Sequence, residues 1–160
     1  MIDVLCSEME LEEYGEILAV GDRLERLGSS NPGDFYGTGL DAVAWSFDRY
    51  AHLSIGRTPA MISGDVVALA AIYVRIRKDA DREGAWVPRR GSAWLEPVRS
   101  TTDTRRPLRR VVEHESPPDE RGRVRVSGRI MLEENDELLT GWRVTLVEEA
   151  VVVQERLDEG

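Results

Sequence analysis

An α+β fold is what this sequence predicts: an N-terminal three-helix unit packed on a C-terminal antiparallel β-meander. Three observations predict it. The first is the stretch Ile62 to Lys78, whose Val66 to Val74 is the longest run without a polar residue. Alanines at 68, 70 and 71 are strong helix formers, Ser63 suits an N-cap, and Asp65 with Arg75, Arg77 and Lys78 places charge as a helix dipole favours. Tyr73 to Arg77 also alternates as a strand would, but the alanines decide for a helix, apolar all round and therefore buried under the sheet. The second observation is the recurrence of Leu11, Tyr14, Leu18, Gly21 and Leu24 at spacings of three and four, a helical period. The third is strict alternation further on: Val124, Val126, Gly128, Ile130 and Leu132 interleave with Arg123, Arg125, Ser127, Arg129, Met131 and Glu133, a strand with one apolar and one mainly basic face.

Taken in order, residues 1–6 suit a short strand, with Ile2 and Val4 on one face. A first helix follows from Ser7, where Glu10 three residues on has the form of a capping box, to a stop at Gly28. Ser29 to Gly39 is rich in turn formers and reads as a loop. A second helix runs from about Leu40 to Ile55, with Val43, Ala44, Phe47 and Ala51 along one stripe and Gly56 at its end; the central helix then follows. Residues 84–107 hold Trp86 and Trp94 among Pro88, Pro97 and Pro107, so strands there are short and lie near an edge. Leu108 to Glu115 is a strand, and Ser116-Pro117-Pro118-Asp119 breaks it. Asn135-Asp136 turns the chain into a strand about Trp142 to Val147, and Glu148-Glu149 turns it again into a last strand from Ala150 to Arg156. The whole reads as one domain over 1–160, mainly helical to residue 83 and mainly β from 84.

Charge is the most informative bulk property. The net of −9 is unevenly spread: residues 1–74 carry −8, residues 75–129 carry +6 and residues 130–160 carry −7. Nearly all the positive charge is arginine, with Lys78 the sole lysine, and arginine's planar fork suits bidentate pairing with carboxylates. A basic middle between two acidic ends favours pairing within the chain or between subunits. The lone Cys6 excludes an internal disulfide and points to a reducing compartment. The acidic start has no export-signal pattern, and the apolar run is too short to span a bilayer. A cytoplasmic or particle-associated location is the expectation.

Motifs for chemistry are sparse. Gly37-Thr38-Gly39-Leu40-Asp41-Ala42 fits a relaxed dinucleotide pattern but follows a Pro/Gly loop where the mechanism needs a strand, so it reads as a glycine-rich helix start. Glu13-Tyr-Gly-Glu16 resembles the first half of the carboxylate motif of all-α nucleotide pyrophosphohydrolases; that resemblance implies magnesium held by Glu13, Glu16 and Asp65. The second half of the motif is missing at a suitable distance. Tyr36-Gly37, Phe47, Tyr50-Ala51, Leu53, Asp65-Val66 and Arg77 look similar to the pattern of a phage-associated helical family of unknown function, over residues 36 to 77; this resemblance implies a mobile-element origin. A strand at Glu113-His114-Glu115 puts the acids on the face opposite the histidine, so the triplet does not chelate one metal. No nucleophile elbow or catalytic triad is present.

These features point to a non-enzymatic assembly or interaction protein, with a phage-type particle as one setting, and with no cofactor and no metal. Its contacts with itself or a protein partner fall to Trp86, Arg89, Arg90, Trp94, Arg99, Arg125 and Arg129. A magnesium-dependent nucleotide hydrolase is the alternative. Nucleic-acid binding is a second one, with tryptophans and arginines stacking on bases, opposed by the acidic chain.

Overall fold

The computed structural model describes residues 1–31, 33 and 43–155. It is mainly β, with 52% of the chain in strands, 8% in helical turns and, among the described residues, no helix of seven residues or more. The α+β expectation and its three-helix unit are therefore overturned. The strands are β1 (Ile2–Ser7), β2 (Arg23–Ser30), β3 (Trp45–Phe47), β4 (Pro59–Lys78), β5 (Trp86–Pro88), β6 (Trp94–Val98), β7 (Arg110–Glu115), β8 (Val126–Met131) and β9 (Glu137–Val153). One short helix, α1 (Glu8–Glu12), and 3-10 turns at Ala51–Leu53 and Thr101–Asp103 complete the described elements.

Five strands close into a barrel in the order β2-β3-β1-β9-β4, with β4 pairing back onto β2. β1 and β3 run parallel, and the other four pairings are antiparallel. Closure removes the open edges a small sheet would otherwise expose. Val4 and Cys6 from β1, Phe47 from β3, Ile62 and Tyr73 from β4, and Trp142, Val144 and Leu146 from β9 fill the interior.

The run that read as a central helix is the long strand β4. Its pattern hides the strand period because the phase changes in the middle. Ala60, Ile62 and Val66 belong to the core, then the pairing with β9 slips between Val66 and Ala68, and Leu69, Ala71 and Tyr73 take over the inward face. A bulge of this kind moves the inward set from even to odd positions. Beyond it Ala70, Ile72 and Val74 are buried too, and a strand covered on both faces reads as a continuous apolar run. Alanine's helical preference, a few tenths of a kcal/mol per residue, yields to that burial.

The first predicted helix stops after five residues. Ser7 does cap it, accepting from the Glu10 N–H at 3.3 Å. Gly15, at φ +62°, then takes the left-handed conformation that ends helices, and the Glu16 N–H reaches back to the Leu11 carbonyl at 2.9 Å. Leu11, Leu18 and Leu24 are all buried, but on α1, on the connection and on β2, so their helical spacing is a coincidence of three separate elements. Of the second predicted helix, the described part is β3 and a 3-10 turn; Tyr36-Gly37 and the Gly37 to Ala42 motif lie outside the described residues.

The C-terminal meander is also corrected. β9 is one strand through Glu148-Glu149, where Glu148 at φ +49° forms a bulge opposite Gly64 and no reversal occurs. The chain does turn at Asn135, but β8 does not pair with β9. It pairs with β7 alone, as a separate two-stranded ribbon. That ribbon arises from residues 79–136, which connect the neighbouring barrel strands β4 and β9 and also supply β5 and β6 along one edge of β4.

Candidate functional site

The ribbon formed by β7 and β8 is an arm with every residue of both strands exposed. Its register sets Val111 opposite Ile130, Glu113 opposite Gly128 and Glu115 opposite Val126, which places these on one face. Arg110 with Met131, Val112 with Arg129 and His114 with Ser127 make the other. One face is therefore apolar and acidic, the other apolar and basic. The alternation that predicted a buried face is present, but nothing among the described residues covers it: Val111 is 59% exposed, Val126 61% and Ile130 58%. A two-stranded ribbon is marginal by itself in water. Arg121, Arg123, Arg125 and Arg129 make no ion pair among the described residues.

The arginines nearer the barrel behave differently. Arg75 lies 3.8 Å from Glu137, Arg89 2.7 Å from Glu134, and Arg105 2.7 Å from Glu137 and 3.0 Å from Glu96. Arg106 pairs with Glu8 and Glu12, and Arg110, at the base of the arm, with Glu133 and Asp136. Five arginines of the basic middle are thus matched inside the chain by carboxylates of the two acidic ends. These hydrogen bonds hold Glu96 and Glu134 below the usual carboxylate range, through Arg105 for the first and chiefly the Lys78 N–H for the second.

Of the residues singled out from the sequence, Trp86 is half-buried on β5 with the Lys78 ammonium 5.8 Å from its ring centre. Trp94, on β6, stacks on Tyr73 with centroids 5.4 Å apart, has the Arg75 guanidinium at 5.3 Å and donates its N–H to Glu96. Arg105 lies 4.6 Å from the Tyr73 ring. Trp86 pairs at Lys78 and Trp94 at Tyr73, five positions apart on β4, hence on opposite faces. The two rings do not form one platform. Arg89 is tied to Glu134, Arg90 and Arg99 are exposed on connections, and Arg125 and Arg129 stand on the basic face of the arm. The structure thus divides the set between the β4 edge and the arm.

One cluster escaped the sequence reading. Glu10, a buried carboxylate, meets Arg26 at 3.5 Å and Arg49 at 3.3 Å; Glu16 contacts the same two guanidinium groups. The Arg49 backbone N–H also donates to Glu10, and its guanidinium covers Tyr14 at 4.0 Å. Glu10, Glu16, Arg26 and Arg49, with Glu25 and Leu27, line a cleft of about 330 Å³. Two carboxylates and two guanidinium groups cancel, so the cluster ties α1, β2 and the turn after β3 together as a charge clamp. Burial nevertheless pushes Glu10 up, against the pull of Arg49 and Arg26. Nearby Cys6 is fully buried and its thiol is pushed up to about 12 by that burial. Only pairing in the fold brings positions 10, 16, 26 and 49 together; in the sequence Glu10 marks a capping box and Glu16 half of a carboxylate motif, and nothing local links them to Arg26 or Arg49.

The carboxylates of the hydrolase resemblance are dispersed. Glu13 accepts from the Tyr50 hydroxyl, Glu16 belongs to the clamp, and Asp65 pairs with Arg23 at 3.1 Å. The all-α frame which that resemblance implies, and the helical frame of the phage-associated family, are not there. No group of three or more metal-ligating side chains occurs among the described residues, and among them no helix is long and apolar enough to cross a membrane. No family model matches the chain, and no curated protein or solved structure is significantly similar to it.

Proposed function

We propose that this chain is a non-enzymatic interaction protein whose contact element is the β7–β8 arm. The observation that carries the reading is the uncovered alternating stripe of Val111, Val126 and Ile130, beside arginines that make no ion pair among the described residues. Apolar residues patterned for burial, on an element too thin to bury them, gain most from a partner surface. The barrel supplies a rigid base, since its own strands close on one another.

Five-stranded Greek-key barrels include folds that bind oligonucleotides, but fold does not carry function. Here the net charge is −9, Trp94 already rests on Tyr73, and the two tryptophans face apart, so protein contact is the better supported reading.

The test is a double variant, Val126→Asp with Ile130→Asp, followed by light scattering through a salt series, alone and with candidate protein partners. Both side chains are exposed, so urea stability should change by no more than about 0.5 kcal/mol. Association of the natural chain should be lost in the variant. A chain that stays monomeric at low salt and ignores every partner, or a variant that associates as before, would overturn the reading.

A further inference from the structure

We infer that the arm's partner is a second copy of this chain, joined through the outer edge of β8 in an antiparallel pairing centred on Gly128. This rests on the arm being the contact element and adds which edge, which register and which occupant.

The edge follows from the hydrogen bonds. The carbonyls of Arg125 and Arg123 accept from the Ser116 and Asp119 N–H groups, at 2.9 and 3.0 Å, so the backbone groups of odd-numbered residues here point toward β7. In an antiparallel strand the even-numbered residues then point the other way. Val126, Gly128 and Ile130 accordingly present N–H and C=O groups along an edge with no neighbouring strand among the described residues. Such an edge is a ready template for another strand.

The occupant follows from the sequence of that edge. Laid against itself about Gly128, the segment pairs Val126 with Ile130 of the second copy and Val124 with Leu132, all on one face. On the other face Arg125 meets Met131, Ser127 meets Arg129 and Arg123 meets Glu133. Within β8 apolar faces apolar, and just beyond the ends of that strand Arg123 meets Glu133 of the second copy, a carboxylate that Arg110 approaches at 3.0 Å in its own chain. The registers on either side keep the faces aligned but fail on charge: centring on Ser127 sets Arg125 against Arg129 twice, and centring on Arg129 sets two arginines against each other. Like charges directly opposite disfavour both. The β7 edge offers no comparable match, because Glu113 and Glu115 stand on the face that carries Val111. The product is a four-stranded sheet, β7-β8-β8-β7, with a twofold axis at Gly128.

Sedimentation velocity on the full chain tests this. The natural chain should form a concentration-dependent dimer. Arg123→Glu and Glu133→Arg should each weaken it at least tenfold, and an equimolar mixture of the two variants should restore a dimer, because each then supplies the charge the other lacks. Ile130→Pro removes an outward N–H and leaves the bonds to β7 in place, so it should give a monomer with an intact barrel. A natural chain that is monomeric at every concentration overturns the pairing. So does a dimer indifferent to Arg123→Glu and Ile130→Pro; if that dimer is still lost in the Val126→Asp, Ile130→Asp variant, the arm remains the contact element and only this register fails. Mixed variants that stay monomeric also overturn it.

Discussion

Gly141 sits where β9 passes β1, at φ +155°, and a side-chain carbon built there would come within 2.1 Å of the Cys6 carbonyl oxygen. That neighbour is backbone and cannot swing aside. Gly141→Ala should therefore cost about 3 kcal/mol or more, read as a lowered urea midpoint with the slope unchanged. The same crossing buries Cys6. Because the thiolate is the reactive form and burial pushes this thiol up to about 12, an alkylating reagent at mildly alkaline pH should leave the native chain unlabelled and modify it once urea unfolds the barrel. Rapid labelling of folded protein would show that the β1–β9 seam opens. Neither role was visible in the sequence, where Gly141 and Cys6 are 135 positions apart and carry no local signal.

At the scale of the element, legibility depended on whether a segment's pattern and its surroundings agreed. β8 was readable because it alternates without interruption, and β1 and β7 because they are short segments bounded by clear breaks. β4 was not, because a bulge reverses its phase and both of its faces are covered beyond it. The helix from Ser7 began at its predicted cap but stopped after Glu12, with Gly15 in the left-handed conformation just beyond it, far short of the expected stop at Gly28. The arm is the instructive case for function. Its alternation was read correctly and its apolar face was assigned to the core, whereas the fold holds it away from the barrel. Arg125 and Arg129 were singled out for contact and stand on that arm; Trp86, Arg89 and Trp94 are engaged with the barrel strands and their acids. The neutral effect of polar substitutions at Val126 and Ile130 on stability, with loss of association, is the prediction that separates an interface stripe from a core stripe.

For the molecule as a whole, pH is the lever that reads out the charge arrangement. Asp79, Glu96, Glu134 and Glu149 are held below the ordinary carboxylate range by hydrogen bonds from Asp81, Arg105, Lys78 and the N-terminal ammonium in turn. Groups depressed by folding contribute stability above their unfolded range and lose it as pH falls through the folded value. Glu8 and Glu10 are raised, chiefly by burial, so the folded chain takes up their protons first and gains stability over the same descent. The urea midpoint should fall on acidification below about pH 5, and more steeply in Glu10→Gln, which lacks one of the offsetting groups. An unchanged slope in that variant would show that Glu10 does not titrate differently in the folded chain.

The sequence by itself determined the composition-level facts: a lone cysteine, a basic middle between acidic ends, and a strand with two unlike faces near its C-terminal third. Only the tertiary structure decided that the apolar run is extended, that five strands close on one another, and that the most regular strand of the chain stands outside that closure. The reason is that helix and strand propensities differ by less than a kcal/mol per residue, while burying one large apolar side chain is worth about two. Partners far away in the sequence settle such a contest, and their positions are not written in any local window.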